Sequence, residues 1–133
     1  MDTQAHHLTD LQLAIVRALW ERGEGTVVEV QDALLPQRRL AQTTVATILT
    51  RLEKRGVVTH RTEGRVFVYR ATVTEPQVRR SMVTELTQLL FDGSPAALVS
   101  HLLHEREIAP GDLDEVKRLI AGAERDADGS VAR

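Results

Sequence analysis

The sequence predicts a mainly α-helical fold with one small β-hairpin, on three observations. Three short segments with helical apolar spacing end at Gly56; two β-branched and aromatic runs follow around a glycine-containing turn; helical spacing returns from Val73 onward. The 133 residues, 42% of them hydrophobic, suit one domain or a small domain with an appendage, with a modest core.

Thr9-Asp10-Leu11-Gln12 has the capping-box pattern, and Leu11, Ile15, Val16 and Leu19 follow at helical spacing until Gly23 and Gly25. Thr26-Val27-Val28-Glu29 repeats the pattern and opens a shorter helix through Val30, Ala33 and Leu34 that stops before Pro36. After a linker at 37–41, residues 42–55 form the third helix, with Gly56 where a C-terminal glycine is expected. Residues 57–62 and 66–71 read as strands joined by Glu63-Gly64-Arg65. An isolated two-stranded hairpin is marginal in water, so this one must lean on the helices. Three helices followed by such a hairpin make a winged helix-turn-helix domain, residues 1–72, whose third helix enters the major groove while the hairpin lies along the DNA backbone.

The third helix has two chemically distinct faces. At 100° per residue, Val45, Ile48, Leu49 and Leu52 fall within an arc of roughly 100°, the width of a core-facing stripe. Thr43, Thr47, Thr50 and Lys54 lie opposite, flanked by Thr44 and Arg51, and Gln42 opens the helix. Short hydroxyls and a guanidinium suit base edges and phosphates, whereas an ordinary solvated face is richer in Glu and mixed-sign pairs; Glu53 is the one acid here. Thr43, Thr44 and Thr47 are assigned to base edges and nearby phosphates. Arg51 is assigned to a guanine or a phosphate, and Lys54 and Arg55 to the backbone. Gln42 and Thr50 complete the reading surface. Thr26 offers a hydroxyl and helix-terminal N–H groups to a phosphate. Arg61 and Arg65 are read as wing contacts rather than plain solubilising charges.

Charge is segregated along the chain. The net charge is −2, yet residues 38–72 hold eight basic side chains (Arg38, Arg39, Arg51, Lys54, Arg55, Arg61, Arg65, Arg70) against Glu53 and Glu63. Such a local basic patch is the footprint of a phosphate-binding surface.

Beyond Thr74-Glu75-Pro76, Val78, Met82, Leu86, Leu89 and Leu90 mark one apolar face. Asp92-Gly93-Ser94-Pro95 breaks the chain; Leu98, Val99, Leu102 and Leu103 form a second amphipathic helix ending near Pro110-Gly111, and Leu113, Val116, Leu119 and Ile120 a third. Three helices in about 50 residues bury too little to stand alone, so residues 73–126 are read as a dimerisation region facing a second copy, with 127–133 as a flexible tail.

Other chemistries find little support. Without cysteine, disulfide scaffolds, thiol catalysis and thiolate metal sensing are excluded, and a reducing compartment is compatible. The N-terminus lacks a basic region followed by an apolar run, and no segment approaches the ~20 apolar residues of a membrane span, so a cytoplasmic protein without membrane insertion is expected. No nucleophile–base pair, metal-ligand set or phosphate loop stands out, which predicts neither an enzyme nor a cofactor. His101 and His104 share a helix face beside Glu105, but this spacing is common on exposed or dimer-facing helices and is not the HExxH pattern, so no metal is assigned. Trp20 and Tyr69 are read as core packing, and the reading face carries no aromatic for base stacking.

The whole pattern resembles the penicillinase repressor (BlaI/MecI) family of bacterial transcriptional regulators. The likeness rests on Leu8-Thr9-Asp10-Leu11 with Leu19-Trp20, on Thr43-Thr44-Val45-Ala46-Thr47 with Arg51-Leu52-Glu53-Lys54-Arg55-Gly56, on Tyr69, and on Leu98-Val99. It implies a homodimeric repressor with two winged helices on an inverted-repeat operator, joined by the C-terminal helices. In β-lactam-responsive members a protease activated by a membrane sensor cuts the C-terminal region at an Asn-Phe pair, near the position of His101-Leu102; this chain departs from that pair. The copper-responsive branch carries a cysteine-rich C-terminus, which this chain lacks. The alternative reading is a winged-helix interaction module whose basic face meets an acidic protein.

Overall fold

The computed structural model describes residues 7–105 and 108–131; the N-terminal positions 1–6, read above for a leader, and the last two of the expected tail lie outside them. The described elements run α1 (Asp10–Arg22), α2 (Val27–Leu34), α3 (Gln42–Lys54), β1 (Val58–Glu63), β2 (Val66–Ala71), α4 (Glu75–Phe91), α5 (Pro95–His104) and α6 (Pro110–Val131). The chain divides into two compact units, up to Leu86 and from Thr87. The boundary falls inside α4 rather than at the end of the hairpin.

Both predicted capping boxes form. In α1 the Gln12 N–H donates to Thr9 Oγ1 (3.2 Å) and the Thr9 N–H to Gln12 Oε1 (3.0 Å); in α2 the Glu29 N–H donates to Thr26 Oγ1 (3.2 Å) and the Thr26 N–H to Glu29 Oε1 (2.9 Å). Each pair satisfies two backbone donors that a helix start otherwise leaves orphaned.

The core of the first unit is where the apolar stripes of α1, α2 and α3 meet. Ile15, Val16, Leu19, Val30, Val45, Leu49 and Leu52 are all at most 1% exposed, and Val57, Val58 and Tyr69 of the hairpin pack onto them. A Schellman turn steers the chain from α3 into the hairpin: the Val57 N–H donates to the Leu52 carbonyl (2.9 Å), the Gly56 N–H to Glu53 (3.0 Å), and Gly56 takes φ +80. The strands pair antiparallel from Val58↔Ala71 to Glu63↔Val66, so the loop is only Gly64-Arg65, one residue shorter than the predicted turn. Gly64 at φ +64 suits the first central position of a two-residue loop.

The hairpin is anchored at two further places. Gly25 and Tyr69 exchange backbone hydrogen bonds of 2.9 and 2.8 Å, so the α1–α2 loop adds a short third rung to the sheet. The Trp20 indole N–H donates to the Val73 carbonyl at 2.9 Å, tying the exit of β2 to α1. Trp20 is therefore a packed residue with its polar edge satisfied.

Several C-terminal expectations change. Val78, expected on a dimer-facing stripe, is 2% exposed and belongs to the winged-unit core, with Met82 partly buried against that core, so the start of the α4 stripe packs within its own chain. Helix α5 ends at His104, not near Pro110, because Glu105 already closes it with its N–H on the His101 carbonyl. Helix α6 continues to Val131 through positions expected to form a polar tail; Ala123, Glu124, Arg125 and Ala127 are good helix formers, and Gly129 comes too late to stop it. The His101-Leu102 peptide lies inside α5, and the His104 ring turns back on its own helix, its Nδ1 2.8 Å from the Ser100 carbonyl. No described helix is long and apolar enough to cross a membrane.

Candidate nucleic-acid interface

Helix α3 is held from below by Val45, Leu49 and Leu52, each fully buried, with Ile48 half-buried. That fixes which side chains face outward. Gln42, Thr43, Thr44, Thr47, Thr50, Arg51 and Lys54 are all exposed, as the helical spacing predicts. Thr43, Thr44, Thr47 and Arg51 line one shallow depression together with Ile48. Gln42 and Thr50 sit on the opposite flank, facing the wing. The Thr50 hydroxyl is turned onto its own helix, donating to the Ala46 carbonyl at 3.0 Å.

The start of α3 differs from the starts of α1, α2 and α5. Ala41 is its N-cap and supplies no side-chain hydrogen bond, whereas Thr9, Thr26 and Ser94 cap their helices. Helix α3 thus presents a terminus without a side-chain acceptor, where negative charge is favoured.

Among the described residues, Arg51, Lys54 and Arg65 have no carboxylate partner, so their charge is available to an external anion. Two predicted contacts, Arg55 and Arg61, are placed otherwise, and a third, Thr26, is narrowed to its side chain. Arg55 is half-buried and turned toward α1, its guanidinium donating to Gln12 Oε1 (3.3 Å) and to the His7 carbonyl, so it holds the N-terminal segment and leaves the reading face. Arg61 forms a two-pronged pair with Glu24 (2.9 and 3.1 Å) and a third bond to Glu63 (3.0 Å); the Glu24 bonds, then the Glu63 bond, raise its pKa and hold it charged. Its charge is balanced internally. Thr26 sits at the start of α2, but its N–H is committed to Glu29, whose carboxyl that same bond holds below its usual value. The Thr26 side chain lines the groove between α2, α3 and the wing.

A cluster not anticipated from sequence joins α3 to the wing. Glu53, the one acid of the helix, accepts from His60 Nδ1 with both oxygens at 2.8 Å. The His60 ring stacks on Phe67, centroids 4.0 Å apart and planes 19° apart, and Phe67 meets Tyr69 edge-on at 6.3 Å. Burial pushes the Tyr69 phenol up, with the nearby Glu53 charge adding to the effect and the neighbouring Thr50 hydroxyl opposing it. Phe67 remains 47% exposed. The register gives a signal for it: Phe67 is paired with Thr62 and shares a hairpin face with His60 and Tyr69.

The model of the family described as penicillinase repressor matches residues 8–122. A transcriptional regulator BlaI of Mycobacterium tuberculosis is 34% identical over 119 residues, 88% of this chain and 85% of that protein. The penicillinase repressor of Bacillus licheniformis is 23% identical over 113 residues, 85% of this chain and 88% of the relative. The solution structure of the monomeric form of Bacillus licheniformis BlaI with the blaP half-operator aligns at 31% identity and TM-score 0.47, covering 53% of this chain and 87% of that one. By the extent of the family match and the identity to BlaI, this chain belongs to the penicillinase repressor family.

Proposed function

We propose that this chain is a homodimeric transcriptional repressor that binds inverted-repeat operator DNA through α3 and the wing and blocks transcription by occupancy. Family membership makes it a DNA-binding transcriptional repressor. The observation that carries the proposed reading surface is the exposed set Thr43, Thr44, Thr47 and Arg51 on one face of α3, beside an uncapped helix start. Arg51 and the threonines supply base-edge and nearby phosphate contacts, Lys54 and Arg65 contact the backbone, and the Thr26 hydroxyl donates to a phosphate. Arg55 and Arg61 hold the fold that positions these groups.

The apolar positions left uncovered on α4 to α6, chiefly Leu89, Leu90, Leu119 and Ile120, support self-association as the link between two half-sites. Linking them converts the second contact into an intramolecular one, so operator occupancy depends on the C-terminal helices as steeply as on α3.

The test is a fluorescence-anisotropy titration at fixed salt, using a duplex selected by the full-length chain from a random-sequence pool. Arg51→Ala is expected to weaken binding by about 1–3 kcal/mol and to relax the preference at one position per half-site. Unchanged affinity and preference would remove Arg51 from the interface. Failure of the wild-type chain to enrich any duplex would remove the repressor reading itself.

A further inference from the structure

We infer that the groove between α2, α3 and the wing seats the sugar–phosphate backbone of one DNA strand, with Phe67 packed against deoxyribose. The inference rests on the proposed reading of α3 and adds to it an apolar backbone contact.

The groove is about 380 Å³. Thr26 and Val28 of the first turn of α2 form one wall; Gln42, Ala46 and Thr50 of α3 form the floor; Arg65, Val66 and Phe67 of the wing form the other wall. The threonine and arginine cluster assigned to base contacts lies on the other flank of α3. A helix lying in the major groove has one DNA strand running beside it, and the trough between that helix and the wing is where such a strand passes.

The lining matches the chemistry of a strand. Val28, Val66 and Phe67 are 45%, 48% and 47% exposed, and all three face this one groove. An apolar surface this concentrated calls for a partner. A second protein's apolar face would not require a cation at the rim, yet Arg65 stands there without a carboxylate partner among the described residues, and no acid lines the groove. DNA backbone alternates a charged phosphate with the C–H faces of a deoxyribose. Arg65 and the Thr26 hydroxyl suit the first, and Phe67 with its valine neighbours suits the second.

Phe67 is also held in place before DNA arrives. Its ring rests on His60, and His60 is clasped by both oxygens of Glu53, so the exposed edge of the phenyl has little freedom to lose. The same clasp sets the one carboxylate of α3 against His60, away from a passing phosphate.

The experiment uses the full-length chain and the selected duplex across a salt series. Phe67→Ala is expected to weaken binding about fivefold at every salt concentration, leaving the slope of log affinity against log salt unchanged, because it removes apolar contact and no charge. Arg65→Ala is expected to reduce that slope by about one. Val28→Ser leaves the His60 stack untouched and is expected to weaken binding about threefold at constant slope; it carries the test if Phe67→Ala lowers the melting temperature. Wild-type binding with Phe67→Ala and Val28→Ser both within twofold of it overturns the inference while leaving the repressor reading intact. No wild-type binding to any selected duplex overturns both.

Discussion

The two compact units carry apolar stripes of similar quality and do different things with them. In the winged unit the stripes of α1, α2 and α3 converge, and Ile15, Val16, Leu19, Val30, Val45, Leu49 and Leu52 are sealed from solvent. From Thr87 onward the only buried residue among those described is Thr87 itself; α5 buries none, while Leu89, Leu119 and Ile120 are 76%, 62% and 51% exposed. An amphipathic pattern therefore predicts a helix in both places and predicts a closed core in neither. Closure requires enough elements around one centre, and the winged unit has three helices, a hairpin and the start of α4 where the second has the end of α4 with α5 and α6. The exposed apolar side chains of the winged unit are informative for the same reason: Val28, Val66 and Phe67 gather on one groove, while Leu35, Val83 and Leu86 lie elsewhere on the unit.

The sharpest way to break this contrast is to make the same kind of deletion in both units. Leu49→Ala removes a fully buried side chain from α3 and is expected to cost about 2–5 kcal/mol of unfolding free energy, the range for truncating a well-packed core leucine. Urea denaturation followed by far-UV circular dichroism measures it, and the loss is expected to be independent of protein concentration. A cost below about 1 kcal/mol would mean that the winged core is far looser than its burial indicates.

The complementary change is Leu119→Ser with Ile120→Ser on α6, both exposed within a single chain. On the proposed dimer these side chains are covered by the second copy, and removing them is expected to weaken self-association by about 2–3 kcal/mol, roughly 30- to 150-fold in dissociation constant. Sedimentation equilibrium reads that shift, and operator affinity falls with it. If the association constant of the doubly substituted chain equals that of wild type, α6 is not the interface and the exposed stripe needs another partner.

How far this was legible in the sequence follows from the range of the interactions involved. The helix starts were legible because capping is local: Thr9 with Gln12 and Thr26 with Glu29 act over three residues. The outward set Thr43, Thr44, Thr47 and Arg51 was legible because a helix turns by a fixed angle per residue. Arg55 was misplaced although the same angle, continued one turn, puts it at about 280° from Val45 and hence near Ile48, on the core side facing α1. The Glu24 partner of Arg61 was beyond reach, since Glu24 lies in the α1–α2 loop and meets the wing only once Gly25 has paired with Tyr69. Val78 and Leu89 fall on one stripe of α4, and nothing in that spacing says that the first is covered by the winged core and the second is left open. The aromatic stack of His60, Phe67 and Tyr69 depends on strand register, which the two-residue loop at Gly64-Arg65 fixes and a three-residue turn would have shifted.

The smallest expected effect uses two equivalent caps, one in each unit. Thr26 Oγ1 accepts from the Glu29 N–H at 3.2 Å and Ser94 Oγ from the Ala97 N–H at 3.1 Å, so Thr26→Ala and Ser94→Ala delete nearly the same interaction, worth about 1 kcal/mol. Thr26→Ala is expected to lower the unfolding free energy by that amount at any protein concentration and to weaken DNA binding as well, because the hydroxyl also faces the wing groove. Ser94→Ala is expected to leave the intrinsic DNA affinity of a half-site alone and to act through dimerisation, so its effect on the melting temperature shrinks as concentration rises. Acid adds an internal control. The Glu29 carboxyl is held below its usual value, first by the Thr26 backbone N–H, so its stabilising contribution is present at neutral pH and is lost as pH falls through that lowered value. Because Thr26→Ala keeps the backbone N–H, this acid-sensitive part survives the substitution, whereas Glu29→Gln abolishes it and flattens the acid limb of the stability curve. Equal concentration dependence for the two cap deletions would show that the second unit folds without a partner, and the contrast between the units would then be one of degree.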